Sequence, residues 1–249
     1  MCFNVVVLSR KHKKTFSAST VLEVIKNQSY TNDDGFSAHA VDAGGQEHVI
    51  RTLSFGEFTE KLRELRKLRL LHVHFRAASC GAVTIENVHM FPVEVAGTVY
   101  RLSHNGHVGK FMVPQGVLLG EGCSTKSDTR MMVEDEDFVR ALEKLILRGS
   151  PKKLIKYLKK ADFYGVAFIT SSDRVIAVSR KKPIHIYYED NGLLWLVNTT
   201  LPLKKERKLT KTIVMVRTPY YASVENAVID ITDRRIRVAR FREKPEYLK

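Results

Sequence analysis

A cysteine stands directly behind Met1 and opens into an apolar, β-branched run, Phe3-Asn4-Val5-Val6-Val7-Leu8. Such a run predicts a strand in the interior of a sheet, so a side chain at position 2 is held at the end of a buried element. If Met1 is removed, Cys2 carries a thiol and a free α-amine on one carbon. An α-amine titrates near about 7.7 to 8.0 and can accept a proton at working pH, so one residue can be both nucleophile and base. The plainer reading is that Cys2 is a small apolar residue beginning a strand.

With 249 residues, 44% of them hydrophobic, the chain can bury a sizeable core. Cys2, Cys80 and Cys123 are too few and too scattered for a disulfide framework or a zinc knuckle, which points to a reducing, cytoplasmic setting. No apolar run approaches the roughly 18 residues that span a bilayer, and no charged and then apolar leader opens the chain. The expectation is therefore a protein neither secreted nor membrane-spanning. A formal charge of +14 suggests acidic partners without specifying a fold.

Along the chain, Thr20 to Gln28 reads as a short helix, Asn32-Asp33-Asp34-Gly35 as a turn, and Phe36 to Val41 with Val49 to Leu53 as a hairpin around Gly44-Gly45. A helix follows from Gly56, with Phe58, Leu62, Leu65 and then Leu68 on its apolar face. Leu70 to Arg76 alternates, placing Leu71, Val73 and Phe75 on one face and His72, His74 and Arg76 on the other, a polar face expected to line a cleft. His72-x-His74 is half of a metal site at most, since no carboxylate or cysteine stands at a matching spacing; neither metal nor cofactor is expected. Ala77-Ala78-Ser79-Cys80-Gly81 is small and turn-like.

Gly97 to Phe111 reads as a hairpin centred on His104-Asn105-Gly106, because Asn-Gly between strand-like runs is a strong turn signal. The same pair can instead face a developing oxyanion with a side-chain amide and a backbone N–H. Asp128, in a polar stretch from Ser124 to Thr129, either caps the next helix or offers a carboxylate to an ammonium. Glu134 to Arg148 is helical, and Ser150-Pro151 opens a second helix whose lysines form a basic outer face. Tyr164 to Ile169, Val175 to Ser179, Ile184 to Tyr188 and Leu193 to Val197 read as an antiparallel meander turned at Lys181-Lys182-Pro183 and Asn191-Gly192. Ile213 to Val216, Ala227 to Ile231 and Ile236 to Phe241 are further strand candidates. Residues 203–249 carry 13 Lys and Arg against 6 Asp and Glu, so +7 of the charge lies there.

The order of these features resembles the glutaminase domain of class II glutamine amidotransferases, in the N-terminal nucleophile hydrolase superfamily. The resemblance is carried by Met1-Cys2, Asp34-Gly35-Phe36-Ser37-Ala38, His74-Phe75-Arg76-Ala77-Ala78-Ser79-Cys80-Gly81, Asn87-Val88-His89, His104-Asn105-Gly106, Ser127-Asp128-Thr129, and Tyr164-Gly165-Val166-Ala167-Phe168 leading to Arg180. It extends to about residue 200 and more faintly beyond. It implies an α+β fold, a four-layer αββα sandwich of two antiparallel sheets flanked by helices. One domain over 1–249 is expected, with a basic C-terminal extension of the sheets from about 203 to 249.

The resemblance also implies roles. Cys2 would attack the side-chain amide of glutamine, Asn105 and Gly106 would hold the oxyanion, and Arg76, Ser79 and Asp128 would bind the substrate, with no metal or other cofactor. A separate ammonia-accepting synthase subunit is the expected partner; nucleic acid bound by the basic C-terminal segment is a less favoured one, and no membrane is involved. Two other readings of the same residues are an amidohydrolase for a different amide and a silent relative that binds a partner or nucleic acid.

Overall fold

The computed structural model describes residues 2–9, 15–79, 81–111, 126–189, 191–201, 220–232 and 235–241. Two sheets form from strands that all pair antiparallel. The first contains β1 (Phe3–Ser9), β2 (Phe36–Asp42), β3 (Glu47–Thr52), β4 (Leu68–Phe75), β9 (Ile184–Tyr188), β10 (Leu193–Val197) and β11 (Tyr220–Val224), in the order β11-β9-β10-β1-β4-β2-β3. The second contains β5 (Phe91–Val95), β6 (Thr98–Val108), β7 (Phe163–Thr170), β8 (Arg174–Arg180), β12 (Ala227–Thr232) and β13 (Arg235–Arg240), in the order β13-β12-β8-β7-β6-β5.

Three apolar clusters stack the layers. On the outer face of the first sheet, α1 (Ala18–Ile25) and α2 (Phe55–Glu64) bury Val21, Leu22, Ile25, Phe58 and Leu62 against Val5, Val7, Leu71 and Val73. On the outer face of the second, α3 (Asp128–Glu134), α4 (Glu136–Arg148) and α5 (Lys152–Lys160) bury Met132, Phe138, Leu142, Leu145, Leu154 and Leu158. Between the sheets lie Val6, Val41, Leu70, Val166, Phe168, Val175 and Ile229. The result is the four-layer αββα sandwich that the resemblance implies, in which each strand and helix finds apolar cover for one face.

Edge-on packing fixes the start of β1. Phe3 lies 5.7 Å from the ring of Phe75, which lies 5.5 Å from Phe58. Such offset and tilted pairs add to area burial and hold the strand end beside α2.

Several expectations are corrected. Asn105-Gly106 is not a hairpin turn: it lies inside β6 and pairs across to Val166 and Gly165 on β7, while the hairpin bends at Ala96-Gly97. Ala96 (φ 50°) and Gly97 (φ 76°) supply the left-handed residues that a tight turn needs. Leu68 begins β4 rather than ending a helix, because Leu65 already closes α2. The four strands after residue 163 are not one meander. β7 and β8 pair in the second sheet, β9 and β10 in the first, and the chain crosses between sheets at Lys181-Lys182-Pro183. Ser127 caps the short helix α3, leaving Asp128 as its first residue. β11 went unanticipated, and the candidate at 213–216 lies outside the described residues.

Candidate active site at one end of the sandwich

The polar face of β4 does not line an open cleft. His72 and His74 are 0% exposed and Arg76 is 2% exposed, between the sheets. Three adjacent strands change character at the same level. Inward positions run Val6, Asn4, Cys2 on β1 and before it; Leu70, His72, His74, Arg76 on and after β4; Val41, His39, Ser37 on β2. Asn4 Oδ1 accepts from Ser103 Oγ of the opposite sheet at 2.8 Å, and Ser103 Oγ lies 2.6 Å from His72 Nε2. Two residues onward from Asn4, His74 and Ser103 stand Cys2, Arg76 and Asn105, so register carries all three to one end of the sandwich.

Cys2 is held through its own backbone and its sulfur. Asn198, just after β10, donates from Nδ2 to the Cys2 carbonyl at 2.9 Å and accepts from the Asn4 amide at 2.8 Å. Cys2 Sγ accepts from the Ala77 amide at 3.3 Å and lies 3.4 Å from the Ala77 carbonyl. Burial pushes the thiol pKa up, against the pull of the Ala77 N–H and the nearby Arg76 charge, while Asp128 adds to the push. Both charged residues thus act on the sulfur.

The loop after β4 is anchored on several sides. The Ala78 amide donates to Asp34 Oδ2 at 2.7 Å, and the Arg76 amide to the Gly35 carbonyl at 2.8 Å. The Arg76 guanidinium donates to the carbonyls of Ala82 (3.0 Å) and Gly81 (3.2 Å). Gly81 adopts φ 78°, and a Cβ there would sit 2.7 Å from the Ser127 amide, so the small residue allows the loop to lie against α3. Asn87 joins them, donating to Ala82 O and accepting from the Ser127 amide at 2.9 Å. Ser79 is exposed in this loop, unlike Arg76.

From the second sheet come Asn105 and Gly106. Asn105 is 1% exposed, and its side-chain Nδ2 has no hydrogen-bond partner among the described residues. A buried N–H without an acceptor costs about 1–3 kcal/mol, which makes it a ready donor to an arriving oxygen. Gly106 faces Gly165 across the ladder, and a Cβ on either would collide with the other strand's backbone. Asp128 closes the arrangement, accepting from the Val108 amide at 2.8 Å and the Thr129 amide at 2.7 Å. His104 Nε2 donates to the Tyr164 carbonyl at 3.2 Å, and burial holds its pKa down, so the ring is a neutral support.

Of the six residues singled out from sequence, Arg76 and Asp128 act electrostatically on Cys2, Asn105 and Gly106 follow Ser103 along β6, and Ser79 is exposed. Asn198 and Lys182 were not foreseen as neighbours of Cys2. An asparagine after a strand and a lysine in a turn carry no sequence signal until two sheets are laid together. Among the described residues no group of three or more His, Cys, Asp or Glu is placed to hold a metal, and no helix is long and apolar enough to cross a membrane.

No family model and no curated protein matches the chain. Solved structures do. The glutamine phosphoribosylpyrophosphate (PRPP) amidotransferase from B. subtilis, complexed with ADP and GMP, superposes with a TM-score of 0.64 at 14% identity over 96% of this chain and 49% of that one. A structure described as the allosteric regulatory enzyme of purine biosynthesis gives the same values. A glutamine aminotransferase class-II domain protein from Silicibacter pomeroyi matches with a TM-score of 0.51 at 13% identity, over 97% of this chain and 100% of that one. The chain thus spans about half the length of the first two. At these identities the likeness is one of architecture, and this chain shares with these structures the fold of two antiparallel sheets covered by helices.

Proposed function

We propose that the chain is a glutaminase of the N-terminal cysteine type, which releases ammonia from the side-chain amide of glutamine. The observation that supports this reading is a buried Asn105 amide N–H with no acceptor among the described residues, on a strand whose Ser103 bonds to Asn4, two residues from the Cys2 sulfur. After removal of Met1, the α-amine of Cys2 takes the thiol proton as sulfur attacks the amide carbon. The tetrahedral oxyanion accepts from Asn105 Nδ2 and the Gly106 N–H, a contribution on the order of 3 kcal/mol per donor. The C–N bond then breaks, the α-amine returns the proton to the leaving nitrogen, and ammonia departs from a thioester. Water attacks the thioester, releasing glutamate and restoring the thiol.

Arg76 would meet the substrate α-carboxylate with a charge-assisted fork, Asp128 the α-ammonium, and Ser79 a further substrate oxygen from its loop. A separate synthase subunit would consume the ammonia, in a reducing cytoplasm suited to a free thiol. The basic stretch from Lys204 to Arg242, most of it outside the described residues, is the proposed docking segment.

The test is intact-mass analysis before and after a glutamine-mimicking electrophile, beside ammonia release from glutamine. Loss of Met1, one adduct on Cys2, and ammonia release that falls to background in Cys2→Ala are expected. Wild-type mass retaining Met1, or equal ammonia release by Cys2→Ala, would overturn the proposal.

A further inference from the structure

The crossover between the sheets passes over the same end of the sandwich as Cys2. It leaves β8 at Arg180, which pairs with Gly165, itself opposite Gly106. It enters β9 at Ile184, one residue before His185, which pairs with Val197 beside Asn198 and the Cys2 carbonyl. Three residues, Lys181-Lys182-Pro183, therefore bridge the oxyanion side and the sulfur side.

The bridge is held in an uncommon conformation. Lys181 has φ 58°, a region that non-glycine residues occupy at a cost. Its amide donates to Asn226 Oδ1 at 2.9 Å, the Lys182 carbonyl accepts from Ser179 Oγ at 2.5 Å, and Ser179 Oγ accepts from the Asn226 amide at 3.2 Å. Pro183 fixes the exit. A turn pinned at successive residues, one of them strained, sets where Lys182 points. Its half-buried side chain places Nζ 5.0 Å from the centre of the Tyr164 ring, which stacks on His107 at 4.8 Å.

We propose that Lys182 is a positioning residue for the reaction, its ammonium held over Tyr164 by the crossover so that it faces the Cys2 sulfur and favours the thiolate. This rests on the reading of Cys2 as nucleophile given above. Burial lowers the pKa of Lys182, and Cys2 opposes that, as a partner of opposite charge does. Arg76 and Asp128 also act on the sulfur, and Lys182, Asp128 and His107 act on the buried His104. Arg76 opposes what burial and the Asp128 carboxylate do to the thiol, and the proposed role of Lys182 is to add to Arg76. A thiolate attacks where a thiol does not, so this balance sets the working pH.

The test is the pH dependence of Cys2 alkylation by iodoacetamide in wild type, Lys182→Met and Lys182→Arg, with thermal melts confirming that each variant folds. In Lys182→Met the midpoint should rise by about one pH unit and the rate near neutrality fall about tenfold, with the same plateau at high pH; Lys182→Arg should restore the midpoint. An unchanged midpoint in Lys182→Met overturns the proposal, and so does a raised KM for glutamine with no shift in midpoint, since the ammonium would then meet substrate instead. A shifted midpoint in a protein that releases no ammonia from glutamine supports the lysine's role and counts against the glutaminase reading.

Discussion

The two halves of the layer between the sheets are built on opposite principles. In one, Val6, Val41, Leu70, Val166, Phe168, Val175 and Ile229 interlock with no polar atom to satisfy. In the other, Asn4, His39, His72, His74, Ser103, Asn105 and Thr170 are as deeply buried, and a directional network joins several of them: His39 Nδ1 and His72 Nδ1 both reach Thr170 Oγ1, at 2.8 and 3.0 Å, and His72 Nε2 reaches Ser103. Burial without direction holds sheets together but leaves sliding cheap. Hydrogen bonds between buried partners fix the offset of one sheet on the other, because any shift strands a donor in low dielectric. The apolar half supplies adhesion; the polar half sets the registration of Asn4, His39 and His72 on the first sheet against Ser103 and Thr170 on the second.

This contrast can be broken at its strongest point first. Phe168→Ala, in the apolar half, should cost about 3–5 kcal/mol in urea unfolding while leaving the electrophile reactivity of the remaining folded protein near wild type. A loss below about 1 kcal/mol would show that adhesion does not reside there.

At the polar end the balance reverses. Asn105→Ala should lower kcat for ammonia release about 10²–10³-fold with a stability change below about 1 kcal/mol, because its side-chain N–H leaves no protein partner behind. Steady-state kinetics beside urea melts separate the two effects, and normal turnover would remove Asn105 from the oxyanion role.

Acid tests the same polar half without a mutation. Burial, with Arg101 adding, holds His39 down to about 4, and burial, with Arg76 and His104 adding, holds His74 down to about 3. Unfolded histidines titrate at about 6.5, so between pH 6.5 and 4 the unfolded chain binds protons that the folded chain refuses. Stability is therefore full above pH 6.5 and falls as pH drops, by about 1.4 kcal/mol per pH unit for each such histidine, levelling off below the folded values. Chemical unfolding at stepped pH should show this slope, reduced in His39→Asn. A flat profile from pH 6.5 to 4 would mean that these rings are not held neutral.

Much of this was readable from local pattern. Alternation in Leu70 to Arg76 separates the face that α2 covers from the face that carries His72, His74 and Arg76, and the hairpin of β2 and β3 follows from its turn residues. What misled was chemistry shared by two geometries. Asn-Gly serves a hairpin turn and also a strand that must approach its neighbour without side chains, and only the pairing of Gly106 with Gly165 decides between them. Likewise Lys-Lys-Pro marks a turn whether the chain returns to the same sheet or crosses to the other.

The sequence by itself determined most of the elements: which runs are strands, which helices, which face of each is apolar, and that a cysteine precedes the first buried strand. Those follow from interactions a few residues long, where side-chain period and backbone preference act directly. Only the tertiary structure decided that the polar faces turn inward to meet each other, and that Cys2, Arg76, Asn105, Asp128, Lys182 and Asn198 gather at one end. That gathering depends on the offset between two sheets, a quantity set jointly by residues about a hundred or more positions apart in the chain and written in no local segment.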